Sequence, residues 1–188
     1  MKKISLIATL LTAVLLLQEC KKDTVTETVT SSQLMLAEIN DSTWTSDTVT
    51  ASVTYTAATQ SKVFSCTAIA DNKKVTFSAL STNTPSTPGF TLATFNLNTT
   101  SNVSMAYYQS EKDSLTGNTV FVQHGTVLPG SGSITVTAVD SVKKLISGTY
   151  YFTSQRNNYD NSGNIVSVTV WQVQAGGFNN MPYTFISN

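Results

Sequence analysis

The chain has 188 residues, a formal net charge of zero and a charged fraction of only 12%, and it contains 31 Thr, 23 Ser and 14 Asn. A balanced chain lacks the basic surface that a nucleic-acid backbone requires, so no nucleic-acid partner is predicted. Its 40% content of apolar residues is enough to form a core, which excludes a disordered tail. The composition indicates a Thr-rich globular domain and does not identify a biochemical activity.

Residues 1–19 are predicted to be a lipoprotein signal peptide. Two lysines precede an apolar run over residues 4–17, which at about 1.5 Å per helical residue falls short of the roughly 30 Å hydrocarbon core. A charged start and a short apolar run are typical of a secretory signal. The run ends in Leu-Gln-Glu-Cys. This ending resembles a bacterial lipoprotein signal, and the resemblance implies that Cys20 is lipidated and anchors the chain to a membrane.

Residues 20–33 are predicted to form the lipidated cysteine and a flexible polar tether. The charged residues just after Cys20 resemble those of Bacteroidetes surface lipoproteins, which implies the outer membrane, on its cell-surface or periplasmic face. The alternative is a secreted protein without lipid, in which Cys20 is incidental. If Cys20 carries lipid, Cys66 has no disulfide partner, and its alternating sequence context predicts a buried, inert thiol.

Residues 34–188 are predicted to form one antiparallel all-β domain of about ten strands. Short runs rich in β-branched residues favour strands over helices, and turn residues separate them. In chain order the predicted strands are Leu34–Ile39, Thr48–Thr56, Val63–Ala70, Lys74–Leu80, Phe90–Phe95, Val103–Tyr108, Thr119–Gln123, Ser133–Val139, Leu145–Thr153 and Ile165–Gln174, with a further strand or end cover at Phe178–Phe185. This number and spacing predict a β-sandwich or a flattened β-barrel.

Turn chemistry places the boundaries between these strands. Asp71-Asn72 predicts a tight hairpin, and residues 160–164 predict a longer hairpin loop. Two prolines predict a loop at 84–89 because proline disfavours a strand interior. The Leu-Pro-Gly-Ser-Gly segment at 128–132 predicts another loop.

Three stretches resemble a family of Bacteroidetes lipoproteins that carry an all-β domain of unknown function. They are residues 35–40 together with Trp44, residues 134–137 with Asp140 and residues 146–152, and residues 176–183. The resemblance covers most of the mature domain. It implies an extracytoplasmic β-domain and supplies no catalytic residues.

Five of the seven Asp residues after Cys20 are followed by Ser or Thr and then by an apolar residue or Thr. Composition alone would produce roughly one such match. The pattern is similar to the O-glycosylation signal of Bacteroidetes secreted proteins, and it makes Thr24, Ser42, Thr48, Ser114 and Ser141 candidate glycosylation sites. Glycans there would require exposed side chains. The competing interpretation is that Asp-Ser and Asp-Thr pairs begin turns.

The candidate binding residues are aromatic: Tyr107, Tyr108, Tyr150, Tyr151 and Trp171. Adjacent residues of a strand face opposite ways, so one tyrosine of each pair points outward unless both faces are covered. Exposed aromatic rings can stack on sugar rings or anchor a protein. The favoured interpretation is that most of these rings fill the core and the others are scattered surface residues, and the alternative is a glycan or protein partner at the cell envelope.

The sequence predicts no catalytic residues, no metal and no cofactor. His124 is the only histidine, and its place at a strand end predicts a surface or turn residue. The favoured function is a non-enzymatic binding or structural module. One alternative is a lipocalin-like carrier of a small apolar ligand. Another is a hydrolase, which would need His124 or a pair of carboxylates in a deep cleft.

Overall fold

The computed structural model describes residues 35–98 and 102–188. Within them the regular structure is almost entirely β-strand, with a single 3₁₀ turn at Ala57–Thr59. The strands are β1 (Met35–Ile39), β2 (Ser42–Thr45), β3 (Thr48–Thr56), β4 (Ser61–Ala70), β5 (Lys73–Ser81), β6 (Thr94–Asn96), β7 (Val103–Lys112), β8 (Thr119–Gln123), β9 (Thr126–Asp140), β10 (Leu145–Tyr159), β11 (Ile165–Pro182) and β12 (Thr184–Ser187).

The described strands form two six-stranded sheets. Sheet I has the order β2-β1-β11-β10-β9-β6, and sheet II has the order β12-β3-β4-β5-β7-β8. Neither sheet closes on itself, so the predicted sandwich is confirmed and the barrel alternative is wrong. The pairing is antiparallel except between β12 and β3, which run parallel and so depart from the all-antiparallel expectation.

Alternating apolar side chains from both sheets build the core. Along β4 and β5 every second residue is buried, which is the pattern of a sheet with one dry face. The ring of Phe64 lies centrally, with centroid distances of 5.7 Å to Phe77, 5.6 Å to Phe90 and 5.8 Å to Phe178. Phe178 belongs to sheet I, so these contacts join the two sheets.

Several predicted boundaries are confirmed. The bounds of β3 and β8 agree with the sequence prediction at both ends. Asp71 and Asn72 join β4 to β5 with φ values of 47° and 60°, which are typical of a type I′ hairpin turn. Residues 160–164 connect β10 to β11, and no strand crosses residues 84–89.

Other predictions are wrong. The expected strand at Phe90–Phe95 is reduced to Thr94–Asn96, and the short strand β2 was not predicted. Residues 128–132 were expected to be a loop but lie inside β9. There the ladder passes from Gly132 opposite Phe152 to Val127 opposite Ser154. Residues 128–131 therefore form a bulge, which accommodates the proline and glycine that a regular strand would not.

The predicted signal peptide, Cys20, the tether and Thr24 lie outside the described residues. In the part of the chain that the structure describes, no helix is long and apolar enough to span a membrane.

Candidate binding surface

The structure divides the predicted aromatic residues between core and surface. Tyr107 and Tyr150 are buried at 1% and 2% exposure, and Trp171 is buried as well. Their neighbours Tyr108 and Tyr151 point the other way, because strand residues alternate between faces. Tyr108 is half-buried and Tyr151 is 50% exposed. The outward surface therefore retains Tyr108 and Tyr151, while the other three rings belong to the sandwich interior.

The hydroxyl groups of the two buried tyrosines, Tyr107 and Tyr150, both form hydrogen bonds. Tyr150 donates its hydroxyl to the carbonyl of Leu36 at 3.1 Å, and the Tyr107 oxygen accepts a hydrogen bond from Nε2 of Gln109 at 2.8 Å. Burial is also the main reason that the pKa of each phenol is raised. Both tyrosines therefore belong to the core, and their hydroxyl groups have hydrogen-bond partners there.

The outward face of β10 carries a line of aromatic and polar side chains, which we call the tyrosine ribbon. Its members, at every second position of the strand, are Tyr151, Thr153, Gln155, Asn157 and Tyr159. The ribbon ends in two exposed rings, 50% exposed at Tyr151 and 59% at Tyr159. At about 3.3 Å per residue the rings lie roughly 26 Å apart.

Sequence reasoning missed Tyr159 because it ended this strand at Thr153. The signal was present, since Tyr159 lies eight positions after Tyr151, and residues at an even spacing share a face of any continuous strand. Asn157 and Asn158 concealed it, because asparagine is depleted in strands. Asn158 is held in the strand by its Nδ2, which donates to Ser167 Oγ at 3.0 Å and Thr169 Oγ1 at 2.9 Å.

A groove lies beside the ribbon at its Tyr159 end. Its volume is about 450 Å³, and it is lined by Gly125, Thr126, Leu128, Gln155, Arg156, Asn157 and Tyr159. On the other flank, Val168 and Val170 of β11 stand opposite Asn157 and Gln155 and are 49% and 44% exposed. The ribbon is therefore bordered by a groove on one side and by an apolar row on the other.

The ribbon contains no carboxylate, ammonium or guanidinium group. Arg156, which also lines the groove, sits on the opposite face of β10, with its guanidinium carbon 5.5 Å from the Trp171 ring centroid. The outward tyrosine of sheet II differs, because Lys74 Nζ lies 4.0 Å from the Tyr108 ring centroid and 4.8 Å from that of Phe121. A cation–π contact thus already engages Tyr108.

His124 lies in the short connection between β8 and β9, as its place at a strand end predicted, but the expectation of a surface position is wrong. Its side chain is buried between Tyr107 and Trp171, with the Trp171 ring edge-on at a centroid distance of 5.0 Å. Nε2 lies 2.9 Å from Oε1 of Glu111, and Nδ1 is buried with no hydrogen-bond partner among the described residues. Packing between two aromatic residues explains the burial.

The residues around His124 do not form a nucleophilic triad. A serine is close, but the Ser154 hydroxyl donates to the backbone carbonyl of His124 at 2.7 Å rather than to its ring. Such a triad needs a hydroxyl hydrogen-bonded to an imidazole nitrogen. Among the described residues, no group of three His, Cys, Asp or Glu side chains could hold a metal ion.

The described glycosylation candidates differ in accessibility. Ser42, Ser114 and Ser141 are exposed, whereas Thr48 is half-buried at the start of β3. Two of the aspartates also organise turns. Asp113 Oδ1 accepts the backbone N–H groups of Leu115 and Thr116, both at 2.8 Å, and Asp140 Oδ1 does the same for residues 142 and 143. The turn function and the glycosylation motif therefore occur together at these sites.

The fold defines an all-β sandwich protein with an uncharged aromatic ribbon on one outer face. A family model described as a domain of unknown function, DUF6252, matches residues 31–182. The match spans most of the chain, which therefore belongs to the DUF6252 family. No curated protein and no solved structure matches the chain.

Proposed function

We propose that this protein is a lipid-anchored, extracytoplasmic binding module that holds a neutral glycan against the tyrosine ribbon. The observation that carries the proposal is the alternation along β10 of two exposed rings and three uncharged polar side chains. It extends the surface-aromatic hypothesis from Tyr151 to Tyr159. The binding step is non-covalent.

The chemistry of the ribbon suits a sugar chain. A pyranose presents C–H groups on its faces and hydroxyl groups around its rim, and an exposed aromatic ring offers an apolar face with a polar edge. Between the rings, the amides of Gln155 and Asn157 and the hydroxyl of Thr153 can each donate and accept hydrogen bonds. The spacing of the two tyrosines favours an oligosaccharide over a single sugar.

Charge favours a neutral glycan. The five ribbon side chains carry no charge at neutral pH, and Arg156 of the same strand is turned toward Trp171. An acidic polysaccharide would gain no ion pair from these side chains, and a neutral polysaccharide does not need one. The exposed Val168 and Val170 would add apolar contact along the flank of a bound chain.

Binding is tested with the mature protein and a panel of neutral and acidic polysaccharides, by affinity electrophoresis followed by calorimetry. An aromatic contact is worth about 0.5–1.5 kcal/mol, so Tyr151→Ala and Tyr159→Ala should each weaken binding about two- to twelvefold. Tyr108→Ala on sheet II is the matched control and should bind as the unmodified protein does. Failure of every neutral glycan to bind, or equal binding by the double tyrosine variant, would overturn the proposal.

The anchor rests on Cys20 and the short apolar run before it, and it is tested separately. Intact mass spectrometry of the protein from its own host should show a chain that begins at residue 20 and carries added diacylglyceryl and acyl mass. Cys20→Ser should move the protein from the membrane fraction to the soluble fraction. An unmodified residue 20 would exclude the lipid anchor and leave the glycan assignment untouched.

A further inference from the structure

Strand β8, Thr119–Gln123, forms one edge of sheet II. It pairs with β7 on one side, and among residues 35–98 and 102–188 no strand pairs with its other side. Its sequence, Thr-Val-Phe-Val-Gln, contains neither charge nor proline. Natural edge strands usually carry charged residues or proline, which prevent pairing with another chain. Because β8 has neither, its edge is free to accept another strand.

The hydrogen-bonding pattern shows which backbone groups of β8 face outward. The N–H of Ser110 donates to the carbonyl of Asn72 at 2.8 Å, on the β5 side of β7. Ser110 therefore forms a non-hydrogen-bonded pair with its partner Phe121. The bonded pairs on either side agree, because the N–H of His124 donates to Tyr107 and the N–H of Asp113 donates to Asn118, both at 2.8 Å.

It follows that the N–H and C=O groups of Phe121 point away from β7, toward the free edge. Backbone direction repeats every second residue, so Thr119 and Gln123 present theirs in the same way. The edge thus offers three outward donors and three outward acceptors in one row, centred on Phe121.

We propose that two copies of this protein pair through β8, antiparallel, with a two-fold axis at Phe121. This register sets Phe121 opposite Phe121 of the second copy, Val120 opposite Val122, and Thr119 opposite Gln123. All six outward groups of each strand would then be used. The interface is isologous, the arrangement that two-fold dimers require.

The residues of β8 favour a second copy over an unrelated strand. The strand has the same order of residue classes in both directions, polar, valine, aromatic, valine, polar. In the antiparallel register each side chain therefore meets one of its own class, and no like charges face each other. The side chains of Val120 and Val122 are 41% and 38% exposed and would form close apolar pairs across the axis.

The dimer is independent of the proposed glycan site, because the tyrosine ribbon lies on sheet I. In the register proposed, position 121 faces itself at a Cα separation of about 5.5 Å, which is within the range that a disulfide bridges. Phe121→Cys in the mature, membrane-bound protein should therefore give a dimer on non-reducing gels under mild oxidation. Leu115→Cys, at a turn residue that is 94% exposed, is the matched control and should cross-link far less. Equal cross-linking of the two variants would overturn the proposal.

A charge exchange tests the register without a covalent bond. Phe121→Lys and Phe121→Glu each place like charges opposite one another, so each protein alone should sediment as a monomer in detergent. An equimolar mixture should recover the dimer, because Lys then faces Glu. Leu115→Lys should stay dimeric. Thermal unfolding of each variant shows that it has folded, and a monomeric unmodified protein, or a mixture that stays monomeric, would exclude this interface.

Discussion

Tyr151 and Tyr159 share one face of β10 because that strand keeps its two-residue alternation, while the extra residues of each bulge lie on the neighbouring strands β9 and β11. On β9, four residues stand opposite Thr153 alone. On β11, two residues stand opposite Tyr151. Bulges bend the strand that contains them, so confining them to β9 and β11 leaves β10 regular. A bulge in β10 between the two tyrosines would instead place them on opposite faces of the sheet.

The hairpin loop after Tyr159 should loosen in acid. Asp160 Oδ1 accepts the backbone N–H groups of Asn164 at 2.9 Å and Ser162 at 2.8 Å, and these bonds, that from Asn164 foremost, lower the pKa of Asp160. A carboxyl whose pKa is lower in the folded state stabilises that state above its unfolded pKa of about 3.9. This contribution is lost as the pH falls through the lower, folded pKa.

The measurement is a titration of the Asp160 carboxyl by nuclear magnetic resonance. Its midpoint should lie below the ordinary value for aspartate, and the amide resonance of Asn164 should shift with the same midpoint. Asp160→Asn should abolish the titration of the Asn164 amide. A midpoint at or above the ordinary value would show that the loop bonds do not form in solution.

A side chain at Gly148 should destabilise the folded protein. A methyl group there would collide with the carbonyl oxygen of Thr135 and with the ring of Phe178, a ring that joins the two sheets. Overpacking of a core costs about 1–3 kcal/mol, occasionally more, so Gly148→Ala should lower the unfolding midpoint in urea. Gly177→Ala is the control, since its methyl group would make ordinary contacts with Leu36 at 3.7 and 3.8 Å and should change stability by less than about 0.5 kcal/mol. Equal stabilities would contradict the close packing at Gly148.

Features of the fold that depend on neighbouring residues could be predicted from the sequence, and features that depend on distant residues could not. Alternation and turn residues were sufficient for β3, β8 and the Asp71-Asn72 hairpin, because those features depend on neighbouring residues. The bulge at 128–131 was missed because its proline and glycine are typical of a loop as well. Only the pairing of β9 with a partner distant in sequence shows that the strand continues.

The same reasoning explains the candidate site. The alternation of side chains along a strand correctly places Tyr150 and Tyr151 on opposite faces, since it requires only that the strand be regular. It could not show that Trp171 is buried, because that depends on which sheet packs above it. Nor could it place His124 between Tyr107 and Trp171, since the three residues come from three separate segments.

Cys66 should be unreactive in the folded protein. Its Sγ lies 3.7 Å from both Met35 Sδ and Met181 Sδ, and burial raises the pKa of the thiol. Since the thiolate is the reactive form, iodoacetamide at pH 8 should modify Cys66 only after denaturation. Rapid modification of the native protein would contradict the packing. Cys66→Ser should destabilise more than Cys66→Ala, because the serine hydroxyl would be buried beside two thioethers, at a cost of about 1–3 kcal/mol.

Asp140 and Ser141 allow the glycosylation motif to be separated from the turn that it overlaps. Asp140 Oδ1 holds the turn by accepting the N–H groups of Val142 at 3.0 Å and Lys143 at 2.8 Å. Asparagine keeps this oxygen acceptor but removes the aspartate of the motif. Asp140→Asn produced in the native host should therefore lack the glycan that the motif predicts on Ser141. Its thermal stability should equal that of the natural sequence after enzymatic deglycosylation.

Ser141→Ala should lose the same glycan mass, since it removes the acceptor hydroxyl itself. Asp140→Ala should lose both the glycan and the turn bonds, and it should unfold at a lower temperature than Asp140→Asn. Intact and peptide mass spectrometry measure the glycan. A glycan that persists on Ser141 in Asp140→Asn would show that the aspartate is not read as part of a signal. An unmodified Ser141 in the natural sequence would mean that Asp140 serves the turn alone.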